Sequence, residues 1–143
     1  MRVIGLDLGK RRSGIAVSDE LGVLAHPHST VDDPDHLLEA IRSLAQAMGA
    51  ELVVVGLPIG AGGGDTDQTQ WVRERAAEIE ARLGLRVVLW DERFTTKEAE
   101  RRLSEVGRGF RTTRYLAEVA AAAIILQSYL DATREGGRSG RPT

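Results

Sequence analysis

The sequence predicts an α/β fold, a mixed five-stranded sheet flanked by helices. Three observations lead there. Short apolar runs near the start are joined by turn residues alone, which gives an antiparallel meander. Two later apolar runs, Glu51–Gly56 and Arg86–Trp90, each follow a helical pattern, which gives parallel crossovers. The length of 143 residues, 42% of them hydrophobic, suits one core. One domain is expected over residues 1–133, with a disordered tail over 134–143.

The elements follow in order. Arg2–Leu8 reads as a strand with Val3, Ile4 and Leu6 around Gly5, and Asp7 falls near its end. Gly9 through Arg12 supply a turn into a second strand, Ser13–Ser18, and Asp19–Gly22 connects to a third, Val23–Ser29. Thr30 to Asp35 is a loop and helix start. Leu37, Leu38, Ile41, Leu44, Ala45 and Met48 then repeat at helical spacing until Gly49. Glu51–Gly56 is nearly all apolar, as a strand covered on both faces requires. A glycine-rich loop, Pro58 to Asp67, leads to the amphipathic helix Gln68–Leu83, ended by Gly84. Arg86–Trp90 is a second buried strand, followed by Asp91-Glu92-Arg93. Thr95–Val106 is a charged helix, Gly107–Arg114 a basic loop, and Leu116–Ala132 an alanine-rich helix.

Composition removes several chemistries. Without cysteine there are no disulfides, thiolate metal sites or cysteine nucleophiles. No apolar run approaches the roughly 20 residues that cross a bilayer. The start, MRVIGLDLGK, meets Asp7 too early for a signal peptide, so a cytoplasmic location without membrane contact is expected. The three histidines, His26, His28 and His36, are poorly placed for a metal triad, and Ser13, Ser18 and Ser29 lack a hydrolase nucleophile elbow. Aromatic residues are only 4%, and no aromatic platform for RNA is legible.

Charge is informative locally. The net charge of −2 gives no global sign of a nucleic-acid partner. Yet Arg93, Lys97, Arg101, Arg102, Arg108, Arg111 and Arg114 face only Glu98, Glu100 and Glu105 in the same stretch, a local excess of +4. Of the 19 basic residues 17 are arginine, whose planar fork suits phosphate. A solvated helix face would carry the same charges.

Carboxylates fall at telling places. Asp7 and the Asp91-Glu92 pair both stand at the carboxyl ends of apolar strands; if those strands run parallel and close together, the acids meet at one sheet edge. Glu118 opens the alanine-rich helix. Converging carboxylates suit hard ions such as Mg²⁺ or Mn²⁺. Two such ions about 3.5–4 Å apart can activate water and stabilise the departing oxygen of a phosphodiester. Each acid also has a plainer use: Asp91 as a helix cap, Glu92 as a surface partner of Arg93 or Arg102, Glu118 as a helix-dipole complement. Asp7 has none, because an apolar strand has no need of a carboxylate. The Asp-Leu-Gly start also opens actin-like and sugar-kinase ATPases, but that reading calls for a second glycine hairpin in a duplicated domain.

Four segments carry a resemblance: Gly5-Leu6-Asp7-Leu8-Gly9 with Ser13–Ser18; Val55-Gly56-Leu57-Pro58; Asp91-Glu92-Arg93-Phe94-Thr95-Thr96; and Ala120–Leu126 with Gln127–Leu130. Together, in this order from Met1 to Leu130, they resemble the YqgF/RuvX family of RNase H-like nucleases. The chain departs from the family pattern in two places: Glu118 stands where the family usually has Asp, adding a methylene, and Leu116 stands where a lysine is common. The resemblance implies an RNase H-like fold and a Mg²⁺- or Mn²⁺-dependent phosphodiester hydrolase. Asp7, Glu92 and Glu118 would hold the metal, with Asp91 a further ligand or a cap. Glu92 is preferred because adjacent strand-end residues point to opposite faces. Lys10, Arg11, Arg12 and Arg93 would hold flanking phosphates, and Arg101, Arg102, Arg108, Arg111 and Arg114 the rest of the backbone. Two substrates are implied: the 5′ end of precursor 16S ribosomal RNA in ribosome biogenesis, or branched DNA such as a Holliday junction. Symmetric junction nicking would favour a homodimer, RNA trimming a monomer. A catalytically weak nucleic-acid-binding module is the non-enzymatic reading.

Overall fold

The computed structural model describes residues 1–32, 34–106 and 117–139. Its elements are β1 (Val3–Asp7), β2 (Ser13–Ser18), β3 (Ala25–Val31), α1 (Pro34–Met48), β4 (Leu52–Leu57), α2 (Asp67–Leu83), β5 (Arg86–Asp91), α3 (Lys97–Val106) and α4 (Ala117–Ser139). One five-stranded sheet runs in the order β3-β2-β1-β4-β5. β1, β2 and β3 form the expected antiparallel meander, and β4 and β5 join β1 in parallel.

Strand alternation sends successive side chains to opposite faces. Ile4, Leu6, Ile15, Val17, Val53 and Val55 meet α1 and α2 through Leu37, Ile41, Val72, Ala76 and Ile79. Val3, Ala16, Leu52 and Val54 meet α3 and α4 through Leu103, Ala122, Ile125 and Leu126. Asp7 shares the parity of Val3 and so lies on the α4 side.

That second face is cut low by glycine. A Cβ on Gly5 would stand 2.7 Å from Leu126 Cβ, and one on Gly14 would stand 2.0 Å from the Glu118 carbonyl oxygen. Glycine inside a strand marks close approach by another backbone, and here it lets the alanine-rich α4 lie directly on β1 and β2. Gln127, fully buried, ties the same helix to the edge of the sheet. Its Oε1 accepts from the Ala25 amide at 2.8 Å, and its Nε2 donates to the Val23 carbonyl at 2.9 Å.

Some boundaries differ from expectation. The helix expected from Thr95 starts at Lys97, because a 3₁₀ turn, Glu92–Phe94, comes first and the Thr96 hydroxyl accepts from the Ala99 amide at 3.0 Å. α4 continues past Ala132 to Ser139, into the segment expected as a tail. Arg134 pairs one turn back with Asp131 at 3.2 Å, and the Thr133 hydroxyl bonds the Tyr129 carbonyl at 2.9 Å. Among the described residues no helix is long and apolar enough to cross a membrane.

Candidate active site

The sheet order decides which acids meet. β1 and β5 run parallel, as the sequence required, but β4 lies between them. Asp7 pairs across the sheet with Gly14, the glycine beneath the Glu118 backbone, so Asp7 and Glu118 come to the same corner. On the other side, one residue beyond the Leu6–Val55 pair, stands Gly56. A Cβ there would lie 3.0 Å from Glu92 Oε2, so the bare glycine leaves the space that the Glu92 carboxylate borders. Gly56 therefore belongs to the site, although nothing local in the sequence marks it chemically beyond its place in a motif.

Electrostatics ties the three acids together. Burial raises the Asp7 carboxyl from 3.8 to about 7, and the charges of Glu92 and then Glu118 add to the rise. Burial also raises Glu92, with Asp91 adding to the effect. All three influences on Asp7 act in one direction, so none of them favours its ionised form. Glu118 leans on Arg12, its carboxylate 3.8 Å from the guanidinium, and Arg12 also lies 3.4 Å from Asp32. As placed, no three His, Asp or Glu side chains among the described residues form a closed metal-holding group.

Asp91 is engaged differently. Its carboxylate accepts from the Arg93 amide at 2.8 Å, capping the 3₁₀ turn, and grips the Arg93 guanidinium through Nε at 3.1 Å and Nη2 at 2.7 Å. That grip holds the Asp91 carboxyl below its usual range. The rest of the motif is equally local: the Thr95 hydroxyl donates to the Glu92 carbonyl at 2.7 Å and closes the turn. The segment is built to fix the main chain on either side of Glu92.

An open cleft beside Asp7 is lined by Lys10, Arg11, Arg12, Gln68 and Glu118 as well. The turn that delivers these bases needs Gly9, where a Cβ would stand 2.3 Å from the Arg12 carbonyl oxygen. Ser13 anchors the turn by accepting from the Gly9 amide at 3.2 Å. Lys10 Nζ sits 5.7 Å from the centre of the Trp71 ring, within cation–π range. His26, His28 and His36 are all exposed.

The model for the family described as "RuvX: Holliday junction resolvase" matches residues 1–132. The chain belongs to the RuvX family of nucleases. A relative from Syntrophus aciditrophicus, named "Putative pre-16S rRNA nuclease", is 42% identical over 134 residues, covering 92% of this chain and 89% of that protein. One of the same name from Geobacillus kaustophilus is 38% identical, covering 94% of this chain and all of its own length. Among solved structures, RuvC from Thermus thermophilus superposes with a TM-score of 0.70 at 14% identity, covering 95% of this chain and 97% of that one. The same protein in complex with a Holliday junction substrate gives a TM-score of 0.68 at 17% identity, covering 95% and 96%. These structures establish the RNase H-like fold.

The basic residues expected to hold nucleic acid divide into groups in this RuvX chain. Lys10, Arg11 and Arg12 border the acidic cleft. Arg93 is held by Asp91, and exposed Arg101 pairs with Glu98 at 3.2 Å. Arg102 belongs to α3. Arg108, Arg111 and Arg114, like Leu116, lie outside the described residues. An aromatic cluster that the low aromatic content concealed stands next to Glu92. Trp90 meets Phe94 and Tyr129 edge-on, each with ring centres 5.4 Å apart.

Proposed function

We propose that this chain is a divalent-metal-dependent nuclease that trims the 5′ end of precursor 16S ribosomal RNA in the cytoplasm. The observation that carries the proposal is Asp7, a partly buried carboxylate raised to about 7 by its surroundings and by two further acids. Such a group weakens the metal-free fold and gains once a cation shares its space. The names of relatives spanning nearly the whole chain support the RNA substrate.

The donor set fits a hard cation, Mg²⁺ or Mn²⁺, because it consists of carboxylate oxygens. Asp7, Glu92 and Glu118 would hold it, and Asp91 would serve as cap and as anchor for Arg93. When bound, such ions supply a nucleophile at neutral pH and stabilise charge on the leaving oxygen. The chain's own residues orient the substrate: Lys10, Arg11 and Arg12 meet phosphates on one side of Asp7, and Arg93 on the other. Glu118, 3.8 Å from Arg12, would be one of the residues holding the ion, and Arg12 would then be available to the nucleic-acid backbone.

Gly56 gives a direct test of this geometry. A methyl at Gly56 would stand 2.5 Å from Ile125 Cδ1 and 3.0 Å from Glu92 Oε2. Gly56→Ala is expected to cost about 1–3 kcal/mol of stability and to weaken Mn²⁺ binding. Adding Ile125→Val removes the first clash, so thermal denaturation should recover while Mn²⁺ affinity, read by calorimetry, stays low. Recovery of both together would mean that Gly56 serves packing alone.

A second reading, resolution of branched DNA, is favoured by the description of the matching family model. One experiment separates the readings: Mn²⁺-dependent cleavage of a 5′-extended 16S precursor fragment and of a four-way DNA junction, wild type beside Asp7→Asn. Cleavage of the RNA alone, lost in the variant, is the expected result. Paired nicks in the junction with the RNA untouched, by a protein that sediments as a dimer, would establish the second reading. Binding of either substrate without cleavage would leave a nucleic-acid-binding module.

A further inference from the structure

Phe94 is a large apolar side chain left 54% exposed, two residues after Glu92. It is also held rigidly. Its ring meets the edge of Trp90 at an interplanar angle of 71°, and Trp90 is braced at 89° by Tyr129 on α4. The Ser128 hydroxyl donates to the Phe94 carbonyl at 2.8 Å and receives the Trp90 indole N–H at 3.2 Å. Ring and main chain are thus both anchored to the helix that carries Glu118. An isolated exposed apolar residue needs no explanation, but one fixed from two directions beside a candidate active site does.

We infer that Phe94 is a stacking platform for an unpaired nucleobase next to the scissile phosphate. The inference rests on the nuclease reading and extends it to substrate class. Two residues of chain keep the Cα atoms of Glu92 and Phe94 within about 7 Å, so a base on Phe94 would belong to a nucleotide near the one at Glu92. Arg93, whose guanidinium is held by Asp91, and Lys97 are near neighbours of Phe94 in the chain and bring to this segment positive charge suited to phosphates. The groove beyond the ring is lined by Trp90, Phe94, Thr96, Glu98, Ser128 and Asp131. A paired base keeps its faces within the duplex stack, so this contact selects single-stranded or frayed RNA.

The test uses the full chain in metal-free buffer with EDTA, where cleavage cannot intervene. A single-stranded RNA oligonucleotide carrying one 2-aminopurine reports stacking by fluorescence quenching, and the same sequence as a duplex is the control. Phe94→Ala is expected to weaken single-strand binding about 10-fold, to lose the quench and to leave duplex binding unchanged. Phe94→Trp should keep affinity and quench. Phe94→Leu, which preserves apolar bulk, should behave as Phe94→Ala and also guards against a folding defect in the smaller variant. Equal binding by wild type and Phe94→Leu, equal loss on both RNAs, or no single-strand binding by wild type would each overturn the inference. Phe94-dependent stacking in a chain that cleaves nothing with Mn²⁺ would refute the nuclease reading and leave the platform standing.

Discussion

Asp7→Asn is expected to abolish metal-dependent cleavage while making the metal-free protein more stable at pH 8. Loss of a residue that only supports a metal ligand commonly costs 10- to 100-fold, so loss of a ligand should exceed about 100-fold in rate. The stability gain follows from linkage. In the fold Asp7 ionises at about 7, against 3.8 for an unperturbed group, so the folded state binds this proton more tightly. The favourable contribution of the protonated group is fully present below about pH 4 and is lost as pH rises through about 7. Three pKa units set a ceiling of about 4 kcal/mol on the penalty carried at pH 8. Asn cannot ionise and escapes it. Thermal denaturation in EDTA at pH 4 and pH 8 should show wild type falling as pH rises more than the variant does. Added Mn²⁺ should raise wild type and leave the variant unmoved. A variant that is equally active, or less stable at pH 8 with its packing intact, would contradict this account.

Gly14→Ala should be the most damaging methyl group added at any of the described glycines of the sheet and its loops. The new Cβ would lie 2.0 Å from the Glu118 carbonyl oxygen, 2.3 Å from its carbon and 2.7 Å from the Val119 nitrogen. All three are backbone atoms at the start of α4, so no side-chain rotation relieves the clash and the helix end must lift. Overpacking of this kind costs about 1–3 kcal/mol. Lifting also carries Glu118 away from Asp7, so cleavage should fall even where most molecules remain folded. Gly62→Ala is the matching control, since nothing lies within 4 Å of the added carbon. Chemical denaturation with single-turnover cleavage checks both effects. Equal stability of the two variants would refute the close approach of α4 to β2.

The architecture was legible because period and punctuation agree along most of the chain. β2 falls at Ser13–Ser18 as expected, and Gly84 ends α2 in a left-handed conformation with φ of 69°. Asp7 stood out because a carboxylate inside an apolar strand end has no structural use. Adjacent parity also favoured Glu92 over Asp91 for the inner face. Other features depended on pairing that no local pattern encodes. In the sequence the acids of β1 and β5 meet on condition that the two strands lie close together, whereas β4 intervenes and a glycine in it keeps the path open. Gly14 and Gly56 are seen to flank Asp7 from the two neighbouring strands only once the register is known. Trp90, Phe94 and Tyr129 form a cluster whose members are as far apart in the chain as positions 90 and 129, invisible to a count of aromatic content. Arg12, expected on phosphates, pairs with Glu118, and Arg93, expected on phosphates or beside Glu92, pairs with Asp91.

The same pairing explains why net charge was a poor guide. Acids and bases of the site lie in contact and cancel in a sum, although each sign has its own task. A centre held by Asp7, Glu92 and Glu118 is the claim on which the rest depends. Calorimetric titration of Mn²⁺ into the metal-free protein at pH 8 tests it most directly, with wild type beside Asp7→Asn, Glu92→Gln and Glu118→Gln. Saturable binding to wild type that is lost or strongly weakened in all three variants is the predicted result. Undiminished Mn²⁺ binding by Asp7→Asn would contradict it.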